Sequence, residues 1–374
     1  MSFYLAITLL LAITYVLLIC HILSSWDQHP EYNSSELDPT LGLSILIPAR
    51  NEAENILSCL NSILNSAGDI PNPIELIVID DHSEDKTSCL AASIEDDRIK
   101  IIGLADHLPA EKYNSYKKLA LGLGLCKASH DYILQVDADV VVPQNYVSTI
   151  LSVLSTEQPD LIAGPVLLTG NSRFQKFQTL DLMGMMAVTA TGIRSGKWHI
   201  ANGANLCYRK NLVNFQESDQ ASGDDVGTIQ ALAAQGCKIL FLKSLAATVS
   251  TAAVPTTVDF YKQRIRWATK NKSQSSFEMK LMMAIPFLNC ILLLLHLPLL
   301  FVYGSAAVVL FCFHLLVKVS VDYVYLRELA QYFRQESVMT AYGYSSVLHP
   351  IYIAAVGVAS LLVKKYEWKG RRVS

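Results

Sequence analysis

The sequence predicts an α/β chain: a mainly parallel sheet covered by helices, with transmembrane helices before and after it. Three observations predict this. Short β-branched runs alternate with helically spaced apolar residues over residues 43–142, the pattern of a parallel sheet with right-handed crossovers. Apolar runs at residues 3–23, 281–303, 306–325 and 347–363 are about long enough to cross a bilayer. Hydrophobic residues make up 51% of 374 and charged residues only 17%, with a mean hydropathy of +0.30, too apolar for a wholly soluble enzyme.

In chain order, residues 1–23 read as a retained membrane anchor. A cleaved signal peptide is the alternative, but no basic residues precede the apolar run. Residues 24–40, polar and holding Pro30 and Pro39, read as a linker. A strand at 43–47 closes at Pro48, and Ile56, Leu57, Leu60, Ile63 and Leu64 mark a helix reaching residue 66. A second strand, 74–79, ends in Asp80-Asp81-His82-Ser83, with a helix over 84–94 that Ser83 would cap. A short strand at 99–102 and a helix at 116–128 follow.

They lead to Tyr132-Ile-Leu-Gln-Val-Asp-Ala-Asp-Val-Val-Val142, which reads as one buried strand. Asp137 and Asp139, at i and i+2, would share one side of it. Two unpaired carboxylates are costly to bury, so they belong at the exposed carboxyl end, where open α/β sheets bind ligands. Two hard oxygen ligands there suit a divalent cation that carries phosphates. A solvated Asp-x-Asp turn is the plainer alternative.

Two classes are excluded. A net charge of −3 gives no electrostatic case for nucleic acid. The eight cysteines are scattered without a Cys-x-x-Cys pair, which reads as reduced thiols and neither a disulfide frame nor a zinc site.

Six pieces in order carry a resemblance: Ile45-Leu-Ile-Pro-Ala-Arg-Asn-Glu52, Val78-Ile-Asp-Asp-His-Ser-Glu-Asp-Lys-Thr87, Val136-Asp-Ala-Asp139, Ala201-Asn-Gly-Ala-Asn-Leu-Cys-Tyr-Arg-Lys210, Ser222-Gly-Asp-Asp225 and Gln263-Arg-Ile-Arg-Trp267. Together residues 43–270 resemble the family 2 inverting glycosyltransferases of GT-A (Rossmann-like) fold. The resemblance implies a catalytic domain over 41–275, a nucleotide-sugar donor, here a UDP-sugar, and Mg²⁺ or Mn²⁺. It gives Asp139 the direct metal contact and places Asp137 near the ribose and the cation. It makes Asp225 the general base toward the acceptor hydroxyl, with Asp224 orienting it or holding Arg209. Asp224 departs from the family's usual Glu.

Donor-side roles fall to further residues. One of Asp80 and Asp81 would accept the imide N–H of uracil while the other caps the next helix. Arg50 and Glu52 lie within reach of the nucleoside or are surface charges. Lys117 or Lys118 would face the phosphates or ribose, against the alternative of two solvated lysines. Gln263 and Trp267 share a helix face at i, i+4. Arg266 would pair with the diphosphate, and Trp267 would wall the sugar or anchor at the interface; a snorkelling basic helix is the alternative. Met183, Met185 and Met186 suggest a lipid groove or simply core. Trp198 and His199 lie beside the acceptor loop.

Residues 276–374 read as a membrane domain with two to three helices and a basic, aromatic tail. Lys318 and Asp322 fall i, i+4 and can pair within it. The reading is an integral membrane enzyme with its catalytic domain in the cytoplasm, at the inner membrane if bacterial. One span before that domain and three after it would carry the basic tail outside, against the positive-inside tendency. The acceptor expected is a membrane lipid, as in ceramide glucosyltransferase-like members. A processive polysaccharide synthase is the alternative, and an inactive scaffold of a glycan assembly complex a second.

Overall fold

The computed structural model of the chain describes residues 2–34, 37–68, 70–108, 115–215, 224–270, 276–362, 366–368 and 371–373. The first half runs α1 (Ser2–Asp27), β1 (Leu43–Ala49), α2 (Ile56–Ala67), β2 (Ile74–Asp80), α3 (Thr87–Ala92), β3 (Ile99–Gly103), α4 (Tyr116–Lys127), β4 (Tyr132–Gln135), α5 (Tyr146–Glu157), β5 (Leu161–Ala163), β6 (Val166–Thr169) and α6 (Arg173–Ser195). The second runs β7 (Leu206–Arg209), α7 (Asp224–Ala234), β8 (Ile239–Phe241), β9 (Val249–Ala252), α8 (Thr257–Lys270), α9 (Phe277–Tyr303), α10 (Ser305–Tyr332), α11 (Tyr342–Leu362), and the antiparallel pair β10 (Tyr366–Trp368) and β11 (Arg371–Val373). Two compact units emerge. The sheet unit holds Pro30–Leu167, His199–Ala252 and Lys365–Ser374; the helical unit holds Met1–His29, Leu168–Trp198 and Ala253–Lys364.

In the sheet unit the strand order is β3-β2-β1-β4-β7-β5-β8. β1 pairs in parallel with both β2 and β4, whereas β7 runs antiparallel to β4 and β5. Chain order reverses between β1 and β4, so a crevice opens at the carboxyl ends of those strands. Pro48 does not close β1, which runs on to Ala49 opposite Asp80. The ladder to β4 stops at Leu46 opposite Gln135, so the N–H that proline lacks is not needed on that side. Leu43, Ile45, Leu46 and Ile47 are fully buried, as are Ile56, Leu60 and Ile63 of α2. Gly124 lets α4 press on the sheet: a Cβ there would come within 2.9 Å of Ile79 Cδ1.

Two local expectations change. The strand through Asp137 and Asp139 ends at Gln135, and the carboxylates sit on a turn beyond it. Val136 still donates its N–H to Leu46 O at 3.0 Å, but the same-side argument from an extended backbone does not apply. The helix after β2 is shorter than expected and Ser83 does not cap it. Its N-cap is Lys86, without a side-chain capping bond, and Asp85 Oδ1 one residue earlier accepts the Thr87 N–H at 2.9 Å.

Among the described residues the helical unit contains four helices long and apolar enough to cross a membrane, over Ser2–Asp27, Phe277–Tyr303, Ser305–Tyr332 and Glu336–Leu362. Charged groups buried within it are matched. Lys318 pairs with Asp322 one turn on, and Tyr15 of α1 donates to Asp322 at 2.6 Å. Phe177 of α6, Phe260 of α8 and Tyr352 and Val356 of α11 form one apolar cluster. This cluster is why α6 and α8 group with the apolar helices. All eight cysteines are free.

Candidate active site

The β1 and β2 ladder ends at Ala49 opposite Asp80, which brings residues 50–52 beside residues 80–83. Arg50 is buried and donates to the backbone oxygens of Asp81 and His82 at 2.8 and 2.9 Å. Its guanidinium thus clamps the β2–α3 loop. Glu52 is half-buried, its carboxylate accepts from Asn55 Nδ2 at 2.9 Å, and its N–H donates to Thr87 Oγ1 at 2.8 Å. Asn51 and His82 take positive φ of 51° and 54° as the two loops turn.

The two acids past β2 divide their roles. Asp80 accepts the Ser83 N–H at 3.2 Å and the Ser88 hydroxyl at 2.5 Å, one on each oxygen, and so fixes the loop to α3. Asp81 is 3% exposed, with Oδ1 3.1 Å from His82 Nδ1. Asp80 thus braces the loop ahead of α3, and neither acid caps that helix, whose N-cap Lys86 has no side-chain capping bond.

Past β4, Lys117 Nζ lies 2.6 Å from Asp137 Oδ1. Lys118, by contrast, is buried at 5% exposure. Thr251 donates from β9 to Asp139 Oδ2 at 3.1 Å. β9 is held against this turn by reciprocal bonds between Val141 and Ser250 of 2.8 and 3.0 Å. Partial removal of Asp139 from water, followed by the negative charges of Asp137 and Glu52, pushes its carboxyl up to about 6 despite the Thr251 bond. The carboxylate keeps a solvent-exposed edge, and the like charges are the part of the cause that a cation would cancel.

The antiparallel β4–β7 pair sets Gln135 opposite Leu206. The loop 201–205 therefore enters the sheet at the same edge from which the Asp137–Asp139 turn leaves it. Gly203 of that loop donates its N–H to Asp225 Oδ2 at 3.3 Å, and Asp225 is 9% exposed. Asn205 is structural: it donates to Pro165 O and Ala247 O, both at 2.9 Å, and accepts from Tyr146 at 2.8 Å. Arg209 pairs with Asp160 at 3.1 Å. Ser222, Gly223 and the side chain of Asp224 lie outside the described residues, as does most of the basic tail. Burial lowers the His199 imidazole from its ordinary range.

Gln263, Arg266 and Trp267 lie on α8, in the helical unit. Arg264, between them, forms an ion pair with Asp181 of α6 at 3.0 Å and lies 4.4 Å from the Trp267 ring centre. Tyr352 of α11 donates to the same Asp181 at 2.5 Å. The Oε1 of Gln263 is buried without a hydrogen-bond partner among the described residues. Met183 and Met186 are buried, so the core reading takes them, while Met185 is 36% exposed. Trp198 donates its indole N–H to Val188 O at 3.0 Å inside the helical unit. Reasoning from sequence missed Thr251, Arg264 and Asp181. Arg264 stood inside a recognised motif, but Thr251 carried no signal.

Sheet order, crevice and carboxylate edge define a GT-A glycosyltransferase. The same fold is that of the mannosyltransferase PcManGT from Pyrobaculum calidifontis, solved with GDP-Man and Mn²⁺: TM-score 0.58, 16% identity, 96% of each chain covered. The chain belongs to glycosyl transferase family group 2, which matches residues 132–354; glycosyl transferase family 2 matches residues 44–214. It is 26% identical over 257 residues to a poly-beta-1,6-N-acetyl-D-glucosamine synthase of Staphylococcus aureus, covering 65% of this chain. The matched part is 57% of that relative's length. It is 25% identical over 124 residues to the glycosyltransferase GlyG of Streptococcus pneumoniae, covering 33% of this chain and 38% of that one.

Proposed function

We propose that the chain transfers a sugar from a nucleotide-sugar, a UDP-sugar in the first instance, to an acceptor at the membrane, with inversion. The observation that carries this is the carboxylate edge of the sheet: Asp81 past β2, Asp137 and Asp139 past β4, and Asp225 held to the loop that enters β7. Asp139, raised to about 6 beside Asp137 and Glu52, is the kind of acid that a cation relieves. One or two carboxylates plus substrate phosphates is also the ligand set Mg²⁺ commonly takes. Asp139 and Asp137 would hold Mg²⁺ or Mn²⁺, which when bound would neutralise charge on the departing diphosphate.

The chain's own groups do the rest. Asp81, at the carboxyl end of β2, accepts the N–H of the base. Arg50 acts through the loop it clamps. Asp225 takes the proton of the acceptor hydroxyl as that oxygen bonds to the anomeric carbon and the bond to the diphosphate breaks. Its hydrogen bond from Gly203 keeps Oδ2 directed at the loop that resembles the family's acceptor segment. The motif implies donor-side roles for Gln263, Arg266 and Trp267, and Gln263 Oε1, buried without a hydrogen-bond partner among the described residues, supports a ligand-facing role for that residue. The catalytic unit lies on the cytoplasmic side, where nucleotide sugars are. Cysteine labelling of right-side-out vesicles at Cys89, exposed on α3, tests this.

The acceptor is a membrane lipid in the first reading, supported by the four apolar helices. The polymer-synthase reading has one specific support, the Staphylococcus aureus relative. Purified protein, UDP-sugars and Mn²⁺ test both, with GDP-sugars as a comparison arm. UDP release abolished by Asp139→Ala is expected, with a lipid-linked monosaccharide by mass spectrometry. A polymer formed without added lipid would replace the first reading with the second.

A further inference from the structure

We propose that Lys117 is an internal stand-in for the metal. It holds Asp137 when no nucleotide is bound and exchanges to the donor's diphosphate when metal and donor arrive together. This rests on the functional reading above. Lys117 is the second residue of α4, and a helix amino end disfavours a cation. An ammonium is kept there by something stronger, and the neighbour is Asp137 at 2.6 Å. Asp137 thus carries its compensating charge from within the chain, whereas the neighbouring Asp139 accepts a neutral hydroxyl, from Thr251 at 3.1 Å. The two acids of one turn are held in different ways, one by a cation and one ready for a cation.

The Lys117 side chain is 24% exposed and that of Asp137 33%, so the pair is open enough to exchange. A flexible four-carbon stem with a point charge suits such a move better than a guanidinium fork would. An anion in front of the α4 amino end would be favoured both by the helix and by the released ammonium. Metal alone must displace Lys117 from Asp137, which costs affinity. Metal with a nucleoside diphosphate offers Lys117 a new partner, which restores it. Metal and nucleotide affinities are therefore coupled through this side chain, and the coupling is reciprocal.

Mn²⁺ binding is read by electron paramagnetic resonance on the full-length protein in detergent, with and without UDP, so turnover is not the readout. Lys117→Met should bind Mn²⁺ about tenfold more tightly than wild type without UDP, and UDP should then improve Mn²⁺ affinity about tenfold less than in wild type. Lys117→Arg, which keeps the charge, should stay near wild type in the first measurement. Asp139→Asn serves as the control for the metal site itself. If Asp139→Asn abolishes Mn²⁺ binding but Lys117→Met leaves the UDP-free affinity unchanged or weakened, the stand-in role is wrong and the metal assignment stands. If Mn²⁺ binding survives Asp139→Asn, or wild type binds none even with UDP, the metal assignment fails and this inference fails with it. Thermal unfolding of each variant shows that a folded protein was measured.

Discussion

The two edges of the sheet treat carboxylates in opposite ways. At the amino edge, burial works to raise Glu75, but hydrogen bonds from Lys100 Nζ at 2.6 Å, Ser44 Oγ at 2.6 Å and the Ser129 N–H at 2.5 Å outweigh it and hold the carboxyl to about 2. At the carboxyl edge, Asp139 is pushed up to about 6 among Asp137 and Glu52. A fully satisfied acid fastens one strand to its neighbours; Ser44 and Glu75 are register partners on β1 and β2. Acids of like charge crowded together are retained at a cost to the fold, and the physical reason to retain them is a ligand.

The largest effect expected is on turnover. Asp225→Asn keeps the size of the side chain and an oxygen that can accept the Gly203 N–H, but cannot take a proton. Turnover should fall by about 10²–10⁴-fold, with the melting temperature and Mn²⁺ affinity unchanged. A loss that follows a drop in melting temperature would assign Asp225 to the structural class with Glu75.

Next is stability. The Glu75 carboxyl lies below its unfolded value of about 4.3, so its contribution is present above that pH and is lost as pH falls toward 2. The gap amounts to about 3 kcal/mol. Glu75→Gln should lower the melting temperature most at pH 7, and the deficit should close between pH 4 and 2. Asp139→Asn should do the reverse. A carboxyl raised above its unfolded value costs stability at pH 7, and that cost fades as pH falls through about 6. The variant should therefore melt at or above wild type at pH 7 and match it only below about pH 4, where the unfolded carboxyl is protonated as well. Two variants that destabilise alike would erase the distinction between the edges.

Much of this was legible in the sequence, and the failures have physical causes. Strand and helix alternation with short connections leaves few sheet topologies, so β1 to β4 were readable before any coordinates. Lys318 and Asp322 met as their spacing required, because i, i+4 geometry is local. The strand through Asp137 was drawn too long, since Val136 to Val142 is β-branched and propensity alone does not register where the ladder's partner ends. α6 and α8 fall within the catalytic domain that the resemblance implies, and spacing gives no sign that Asp181 and Arg264 meet. Each is in fact neutralised by the other inside the helical unit, a pairing of residues 83 positions apart. That Asp80 braces the β2–α3 loop through Ser83 and Ser88 and caps no helix depends on the path of that loop, which spacing does not reveal. Thr251 is joined to Asp139 across 112 positions, and nothing in a run of small residues advertises that.

Thr251 gives the smallest effect and the finest test of how the two edges differ. Its hydroxyl is a neutral donor that partly offsets what burial, Asp137 and Glu52 do to Asp139. Thr251→Val keeps the β-branched shape against Val141 and Ser250 and removes the donor. The Asp139 carboxyl should then titrate above 6, since the charged form has lost a hydrogen bond. One such bond is worth about 1 kcal/mol, or roughly fivefold in an equilibrium constant. Mn²⁺ binds the ionised form, so affinity in the variant should be about threefold weaker near pH 6, where more of its Asp139 is protonated, and about fivefold weaker below pH 5. By pH 8 both proteins are ionised there and the gap should narrow. Measuring Mn²⁺ affinity against pH for the two proteins reads the midpoint directly. An unmoved midpoint with uniformly weaker binding would mean that Thr251 positions the metal's other ligands, and that the charge state of Asp139 is set by burial and its acidic neighbours without the hydroxyl.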